Sequence, residues 1–475
     1  MTMRTVTRNI PRRPTGLTLV ELMVAMTISL LVLLALVNVY VNLARANDEM
    51  TKSSGLIDSG RSAIQLLQND LVHAGYWAGF VPQFDDLTFE RVPADVPTAI
   101  PDACLAYASW SGEYRTNLFG IPVQSADTLP SGTGCVSFPA QRAGTDVIVI
   151  RHAETCVPGG TNCDADTAGR LYMQTSMCEA EKNAGTVSGA TSNSIVLDGD
   201  ASGTDGAYAG VVLRIVSGTG MGQVRTIRTY VGSTRTATFD SAWGVIPDNT
   251  SVYGFDYALS TSAFPLHTRD CEGTGTPASL PVTAGTLAAK RRLISNIYYI
   301  ADLPHPDENG LSVPTLMRSQ LDVSGGVTAQ RPPVRLLDGV EALRVELGID
   351  DTGKTGATVN YAQAVQWEDV TTKMRPTNRG DGSPDWFKRC TAADPCTADE
   401  LMNVVAVKLY VLVRSRDPSP GHKDSKTYCL GEPDADGSCP AVNTIAAAND
   451  TFKRHVFTTS MRLNNISGRR ETPEP

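Results

Sequence analysis

Residues 348–355 read GIDDTGKT and fit G-x-x-x-x-G-K-[ST], the spacing of loops that bind nucleotide phosphates. Such a loop needs a strand before it and a helix after it, so that free backbone amides face the phosphates. The run VEALRVEL at 340–347 predicts the strand, but from Gly356 onward glycine, valine and asparagine stand where the helix should begin. Asp350 and Asp351 would also repel a phosphate. We therefore interpret the segment as a turn and expect no bound nucleotide.

The same two carboxylates, Asp350 and Asp351, are candidates for cation ligands. They lack the alternating acids of an EF-hand loop, and Lys354 brings a competing charge. We interpret the segment as a hairpin turn with surface carboxylates and predict neither a metal nor a cofactor. The motifs H-E-x-x-H and G-x-S-x-G are absent and the six histidines are scattered, so we predict that the protein is not an enzyme.

Composition narrows the class of protein. The formal charge of −9 argues against nucleic acid as a partner, since phosphates select basic surfaces. The 41 glycines and 28 prolines favour a loop-rich β protein. All ten cysteines follow residue 100 without a C-x-x-C motif, which favours disulfides in an oxidising compartment.

The N-terminus indicates where the chain resides. Residues 1–16 carry four arginines and no acid, and residues 22–44 carry no charge. At about 1.5 Å per residue the uncharged run spans roughly 35 Å, enough to cross a bilayer. The basic leader favours an inside N-terminus, which places the rest of the chain outside the cytoplasm. A secretory signal peptide fits less well, because the apolar run is too long and lacks an A-x-A cleavage site.

Glu21 is an acid five residues into the apolar segment that begins at Leu17, where an ionised carboxylate usually has a partner. The next basic residue is Arg45, so we expect the partner to lie outside the helix. If the chain were cut after Gly16, the new amine of Leu17 would be a cation at nearly the same depth. The amine of a neighbouring subunit could then neutralise Glu21 and set the register of an assembly.

The stretch G-LTLVE after a basic leader, followed by about twenty apolar residues, resembles the class III signal of type IV pilins. The resemblance implies that a prepilin peptidase cuts between Gly16 and Leu17 and methylates the new N-terminus, removing 16 residues and four arginines. This family usually has Phe at the first mature position, and Leu17 departs from that pattern. The implied partners are the peptidase, other major and minor pilins, and the inner membrane.

Beyond the apolar run, apolar residues recur at helical spacing, which predicts one helix over about 17–74. The stripe consists of Ile57, Ile64, Leu67, Leu71 and Ala74. Strand-like runs follow without intervening helices, which favours an antiparallel sheet. These runs are 145–151, 294–301, 340–347, 403–414 and 454–463. The predicted fold is therefore α+β, with a long N-terminal pilin helix packed on an antiparallel outer domain.

We divide the chain into a leader (1–16), a transmembrane half of the helix (17–44), an amphipathic half (45–75) and a globular β domain (76–182 and 258–475). Residues 183–257 contain five short β runs separated by turn residues and read as an inserted all-β module. Within it, GTGMG at 218–222 lies between two runs, so it predicts a tight turn and not a dinucleotide loop.

Three stretches resemble the PilW minor pilins: NDLVHAGYWA closing the helix, LLDGVEALRVELGID, and NVVAVKLYVLVRS with the terminal FTTSMRLNN. The resemblance implies a minor pilin that takes part in pilus assembly or initiation, at the tip, with roles in adhesion or twitching motility. It implies an inner-membrane location with a periplasmic C-terminus before assembly, and the pilus surface afterwards. The alternatives are a minor pseudopilin of a type II secretion system and a membrane-tethered adhesin.

The cysteines flank the predicted insertion. Its two ends must lie close together, which predicts a clamp between Cys178 and Cys271. Proximity along the chain then pairs the remaining eight cysteines as Cys104 with Cys135, Cys156 with Cys163, Cys390 with Cys396, and Cys429 with Cys439.

Overall fold

The computed structural model of the chain describes residues 16, 18–135, 138–268, 286–304, 312–434 and 436–472. The chain divides into two compact units, residues 1–55 and residues 56–475. Five α-helices lie in the described residues: α1 (Leu19–Leu71), α2 (Gly112–Gly120), α3 (Glu179–Lys182), α4 (Ala398–Met402) and α5 (Asn464–Arg470). Short 3₁₀ helices span Gln83–Asp85, Tyr107–Ser109, Thr133–Cys135 and Ala441–Asn443.

Strands fill most of the second unit. The first ten are β1 (Val123–Ala126), β2 (Val147–Ala153), β3 (Tyr172–Thr175), β4 (Gly185–Thr186), β5 (Gly189–Thr191), β6 (Ser194–Val196), β7 (Val211–Ser217), β8 (Val224–Val231), β9 (Thr236–Phe239) and β10 (Val252–Ser260). The next ten are β11 (Arg291–Pro304), β12 (Ser312–Ser324), β13 (Val327–Gln330), β14 (Val334–Asp338), β15 (Val340–Ile349), β16 (Trp386–Lys388), β17 (Val404–Arg414), β18 (Tyr428–Cys429), β19 (Thr444–Ile445) and β20 (Arg454–Arg462).

Every pairing between these strands is antiparallel. The larger sheet runs in the order β1-β2-β11-β3-β10-β7-β8-β9-β6-β5, and β12 joins it beside β11. A second sheet has the order β16-β15-β17-β20, and β18 pairs with β19. The predicted α+β class, a long N-terminal helix with antiparallel sheets, is confirmed.

The part of α1 that belongs to the second unit packs on the four-stranded sheet. Its buried face is Leu56, Gly60, Ala63, Leu67 and Leu71. The four apolar side chains of this face, Leu56, Ala63, Leu67 and Leu71, share one core with residues of β15 and β17. The prediction was wrong at Ile57, which is 40% exposed. The buried face begins at Leu56 instead, and it includes the small residues Gly60 and Ala63, where the helix can approach the sheet closely.

Strand β17 lies in the centre of the four-stranded sheet and is buried on both faces. Val407, Leu409 and Val411 face the core under α1, whereas Tyr410 and Leu412 belong to a second cluster with Leu430. This explains the weak alternation of its sequence, because a strand covered on both sides has no polar face.

The strands β4–β10 include the five runs of the predicted insertion, and they enclose a core cluster of their own. Gly218, Gly220 and Gly222 all have positive φ in the turn between β7 and β8, as the GTGMG stretch predicts. The boundaries 183 and 257 stay an interpretation, since β10 pairs with β3 and joins these strands to the larger sheet.

Candidate functional site

The N-terminus of α1 brings Thr18 and Glu21 together. The backbone N–H and the hydroxyl of Thr18 both donate to Oε2 of Glu21, at 2.9 and 2.8 Å. The backbone N–H of Glu21 approaches the Thr18 hydroxyl oxygen at 3.3 Å. This reciprocal arrangement is a capping box, which satisfies two backbone donors that a helix start leaves free.

The capping box adds a local role for Glu21. The sequence predicts a basic partner outside the helix because no basic residue is near, and this stays a prediction. Thr18 at the start of the same helix gives the carboxylate two hydrogen bonds but no opposite charge. The spacing T-x-x-E at 18–21 was the signal for this contact. Gly16 lies just before the box, and Leu17 is outside the described residues.

After Glu21 the helix presents apolar side chains on all sides, and residues 22–44 are exposed throughout. Among the described residues, α1 is the one helix long and apolar enough to cross a membrane, by length and composition. The hydroxyls of Thr27 and Ser29 donate back to carbonyl oxygens one turn earlier, which satisfies them within the helix.

The segment 348–355 does not form a phosphate-binding loop. Gly348 lies inside the buried strand β15, and the chain then turns so that the N–H of Gly353 donates to the carbonyl of Ala357. Gly356 has a φ of 75°, which suits a tight turn. No helix occurs between β15 and β16, a stretch that is fully described, so Lys354 lacks the helix N-terminus that phosphate binding requires.

Asp350 is a structural residue, and its prediction as a surface carboxylate was wrong. Its side chain is 0% exposed and accepts bonds from the N–H groups of Asp381 and Gly382 at 3.0 and 2.9 Å. Nη1 of Arg470 lies 3.2 Å from Oδ2. Burial raises the pKa of Asp350, although Arg470 and the two amides favour its ionised form.

Arg470 on α5 joins three distant segments, a contact that no local pattern signals. Its Nε donates to Asp85 at 2.8 Å, and its Nη2 donates to the carbonyl of Met402 at 2.9 Å. Because Arg470 also forms an ion pair with Asp350, this carboxylate already has a positively charged partner and is unsuited to bind a metal ion.

Asp351 has a different partner, because Nε1 of Trp386 donates to its Oδ2 at 3.0 Å. Within the described residues no group of three or more His, Cys, Asp or Glu side chains could hold a metal ion.

Four disulfides have the pairs expected from the sequence. They join Cys104 to Cys135, Cys156 to Cys163, Cys390 to Cys396, and Cys429 to Cys439, with Cα atoms 5.4, 6.0, 5.1 and 5.7 Å apart. The clamp between Cys178 and Cys271 lies outside the described residues, since Cys271 falls in 269–285. It stays a prediction.

Comparison with known proteins gives matches at both ends of the chain. Residues 297–465 match the family model of Type IV Pilus-assembly protein W, PilW. Residues 11–37 match the prokaryotic N-terminal methylation motif, which spans Gly16, Leu17 and Glu21. No curated protein matches the chain.

Among solved structures, the type IV-like pilin TTHA1219 from Thermus thermophilus is 18% identical with a TM-score of 0.18. The match covers 36% of this chain and 79% of that one. The methylation motif at the start of α1 and the PilW region at the end of the chain together support a PilW-type minor pilin.

Proposed function

We propose that the protein is a minor pilin that helps to initiate or assemble a type IV pilus, and that it occupies the pilus tip. The observation that carries this proposal is the N-terminal methylation motif on the same chain as a PilW region. A bulky outer unit is hard to repeat along a shaft, which favours the tip. Adhesion and twitching motility would follow from that position.

In this proposal a prepilin peptidase cuts after Gly16 and methylates Leu17. The helix then holds the subunit in the inner membrane, with its C-terminus in the periplasm, until other major and minor pilins take it up. Glu21 would steer docking through its negative charge, which the amine of a neighbouring subunit neutralises. A buried carboxylate in an apolar environment is costly unless it is paired in this way.

The capping box allows the charge of Glu21 to be tested apart from its role at the helix start. Glu21→Gln retains an oxygen that accepts the Thr18 bonds but removes the charge. Thr18→Ala weakens the cap but keeps the carboxylate. We expect Glu21→Gln and Glu21→Ala to abolish piliation in the producing organism and Thr18→Ala to retain it, with pili counted by electron microscopy.

Mass spectrometry of the membrane fraction is the control. Cleavage after Gly16 and one methyl group on Leu17 should appear in all variants, so that a loss of pili reports assembly and not processing. An intact Met1, or normal pilus numbers in Glu21→Ala, would contradict the proposal. Intact pili with lost enzyme secretion after gene deletion would instead identify a pseudopilin, and loss of surface binding alone would identify a tethered adhesin.

A further inference from the structure

A cleft of about 410 Å³ lies between the segment 107–115 and strands of the larger sheet. We call it the arginine cleft and define it by Tyr107, Ser109 and Arg115 on one wall and by Thr226, Arg228 and Ser262 on the other. Its volume lies within the roughly 300–1,000 Å³ of small-molecule sites. Its lining residues lie outside the matched PilW region, 297–465.

Arg115 is the unusual residue of this cleft. Its side chain belongs to helix α2 and the residue is only 9% exposed. Its Nε and Nη1 are buried and form no hydrogen bond with any described residue. Its contact is with the ring of Tyr107, whose centroid lies 5.5 Å from the guanidinium carbon. A buried guanidinium normally has an acidic partner, because desolvation of an unpaired charge is expensive.

The other charges in the wall do not supply that partner. Asp240 lines the cleft as well, but its Oδ1 lies 3.1 Å from Nη1 of Arg228. The lining therefore carries one net positive charge, that of Arg115, on a chain whose formal charge is −9. A guanidinium is a planar fork that fits the two oxygens of a carboxylate.

The other lining residues of the cleft indicate which kind of molecule would carry the carboxylate. Ser109, Thr226 and Ser262 add hydroxyl groups, which can both donate and accept hydrogen bonds. Tyr107 adds apolar surface, and Trp110, which is 6% exposed, supports it edge-to-face with the ring centroids 5.4 Å apart. A sugar ring has the complementary surface, with hydroxyls at its edge and C–H groups on its faces. We propose that the arginine cleft binds an acidic sugar, a hexose ring that carries a carboxylate, with Arg115 holding the carboxylate.

The test uses the full chain, purified in detergent with its disulfides intact, and isothermal titration with glucuronate. Glucose has the same ring without the carboxylate, and acetate has the carboxylate without the ring. We expect glucuronate to bind at least tenfold more tightly than either, because only glucuronate offers both the carboxylate for Arg115 and the hydroxylated ring. Equal binding of glucose and glucuronate, or no binding of glucuronate at millimolar concentration, would overturn the proposal.

Variants locate the site. Arg115→Gln should weaken glucuronate binding at least tenfold, whereas the matched control Arg335→Gln, at an exposed arginine outside the cleft, should leave it unchanged. Ser109→Trp places a large side chain at an exposed position of the cleft and leaves Arg115 unchanged. It should also weaken glucuronate binding, and it tests the site even if Arg115→Gln does not fold. Wild-type affinity in both cleft variants would place binding elsewhere and contradict the assignment. An oligouronide that binds more tightly than glucuronate would identify a polysaccharide as the source of the sugar, and equal affinity would identify the free sugar.

Discussion

Asp70, near the end of α1, shows how one residue ties the helix to the larger sheet. Its Oδ1 lies 3.0 Å from Nε2 of His152 on β2. Its Oδ2 accepts bonds from Asn296 at 2.7 Å and from the Tyr298 hydroxyl at 3.0 Å, both on β11. Burial acts to raise the pKa of Asp70, but the bonds from His152, Asn296 and Tyr298 outweigh it and hold the pKa below its usual 3.8.

The sign of this shift predicts a pH dependence. A carboxylate with a lowered pKa stabilises the fold fully above its unfolded pKa of 3.8, and this contribution is lost as pH falls further through the folded pKa. Asp70→Asn should therefore lower the free energy of unfolding by about 2–3 kcal/mol at pH 7. The gap between wild type and variant should shrink below pH 3.8, measured by denaturant unfolding at a series of pH values.

The matched control for Asp70 is Asp58→Asn, an exposed carboxylate on the same helix. It should change the free energy of unfolding by less than about 0.5 kcal/mol at any pH. A gap for Asp70→Asn that widens toward low pH would show that the carboxylate does not act in its ionised form.

At the scale of elements, Gly60 determines how closely α1 approaches the four-stranded sheet. A Cβ atom built on Gly60 would overlap the ring of Phe457 on β20. Nearby, Nε2 of Gln68 donates to the Thr459 hydroxyl at 2.8 Å. Gly55, on the same helix, has no atom within 4 Å of a Cβ built in the same way.

This contrast predicts opposite effects of one substitution. Gly60→Ala should lower the free energy of unfolding by about 1–3 kcal/mol, because the ring of Phe457 must move and overpacking outweighs helix propensity. Gly55→Ala should cause no loss and gain up to about 1 kcal/mol, since alanine favours the helix. Denaturant unfolding measures both variants. In a Phe457→Leu background the penalty at Gly60 should fall, and an unchanged penalty would argue against this contact as its cause.

At the scale of the whole outer unit, Asp146 joins the two large sheets. It precedes β2 and is 0% exposed. Its carboxylate lies 3.2 Å from Nη1 of Arg344 on β15 and accepts bonds from Arg389 at 2.6 and 2.9 Å. The backbone N–H of Val345 also donates to it, at 3.0 Å. Burial lowers the pKa of Arg344, so this guanidinium depends on Asp146 for compensation.

Asp146→Ala should lower the free energy of unfolding by about 3–5 kcal/mol, because it leaves two largely buried arginines without their carboxylate. The control is Asp302→Ala, which removes a carboxylate that is 38% exposed and pairs with Arg142 at 2.6 Å. An exposed pair contributes about 0–1 kcal/mol, so the control should be nearly neutral. Similar losses for the two variants in denaturant unfolding would show that the Asp146 cluster does not link the sheets.

Features that depend on residues close together along the chain could be predicted from the sequence. The long apolar run predicted α1, period and length predicted the strands β2, β11, β15, β17 and β20, and proximity predicted four disulfide pairs. The helix α2 and the strand β12 were missed. Strand β12 contains Pro314 and polar residues, and it becomes a strand because β11 and β14 pair with it.

The sequence by itself therefore determined the long apolar helix, the N-terminal motif and the antiparallel class, because spacing and periodicity act over a few residues. Only the tertiary structure decided that Asp350 is buried against Arg470, 120 residues away. It also decided that Nε and Nη1 of Arg115 are buried without a hydrogen-bond partner among the described residues. The partner of a buried charge is chosen by chain segments that meet in space. A sequence lists the charges, but only the fold determines which of them are desolvated together.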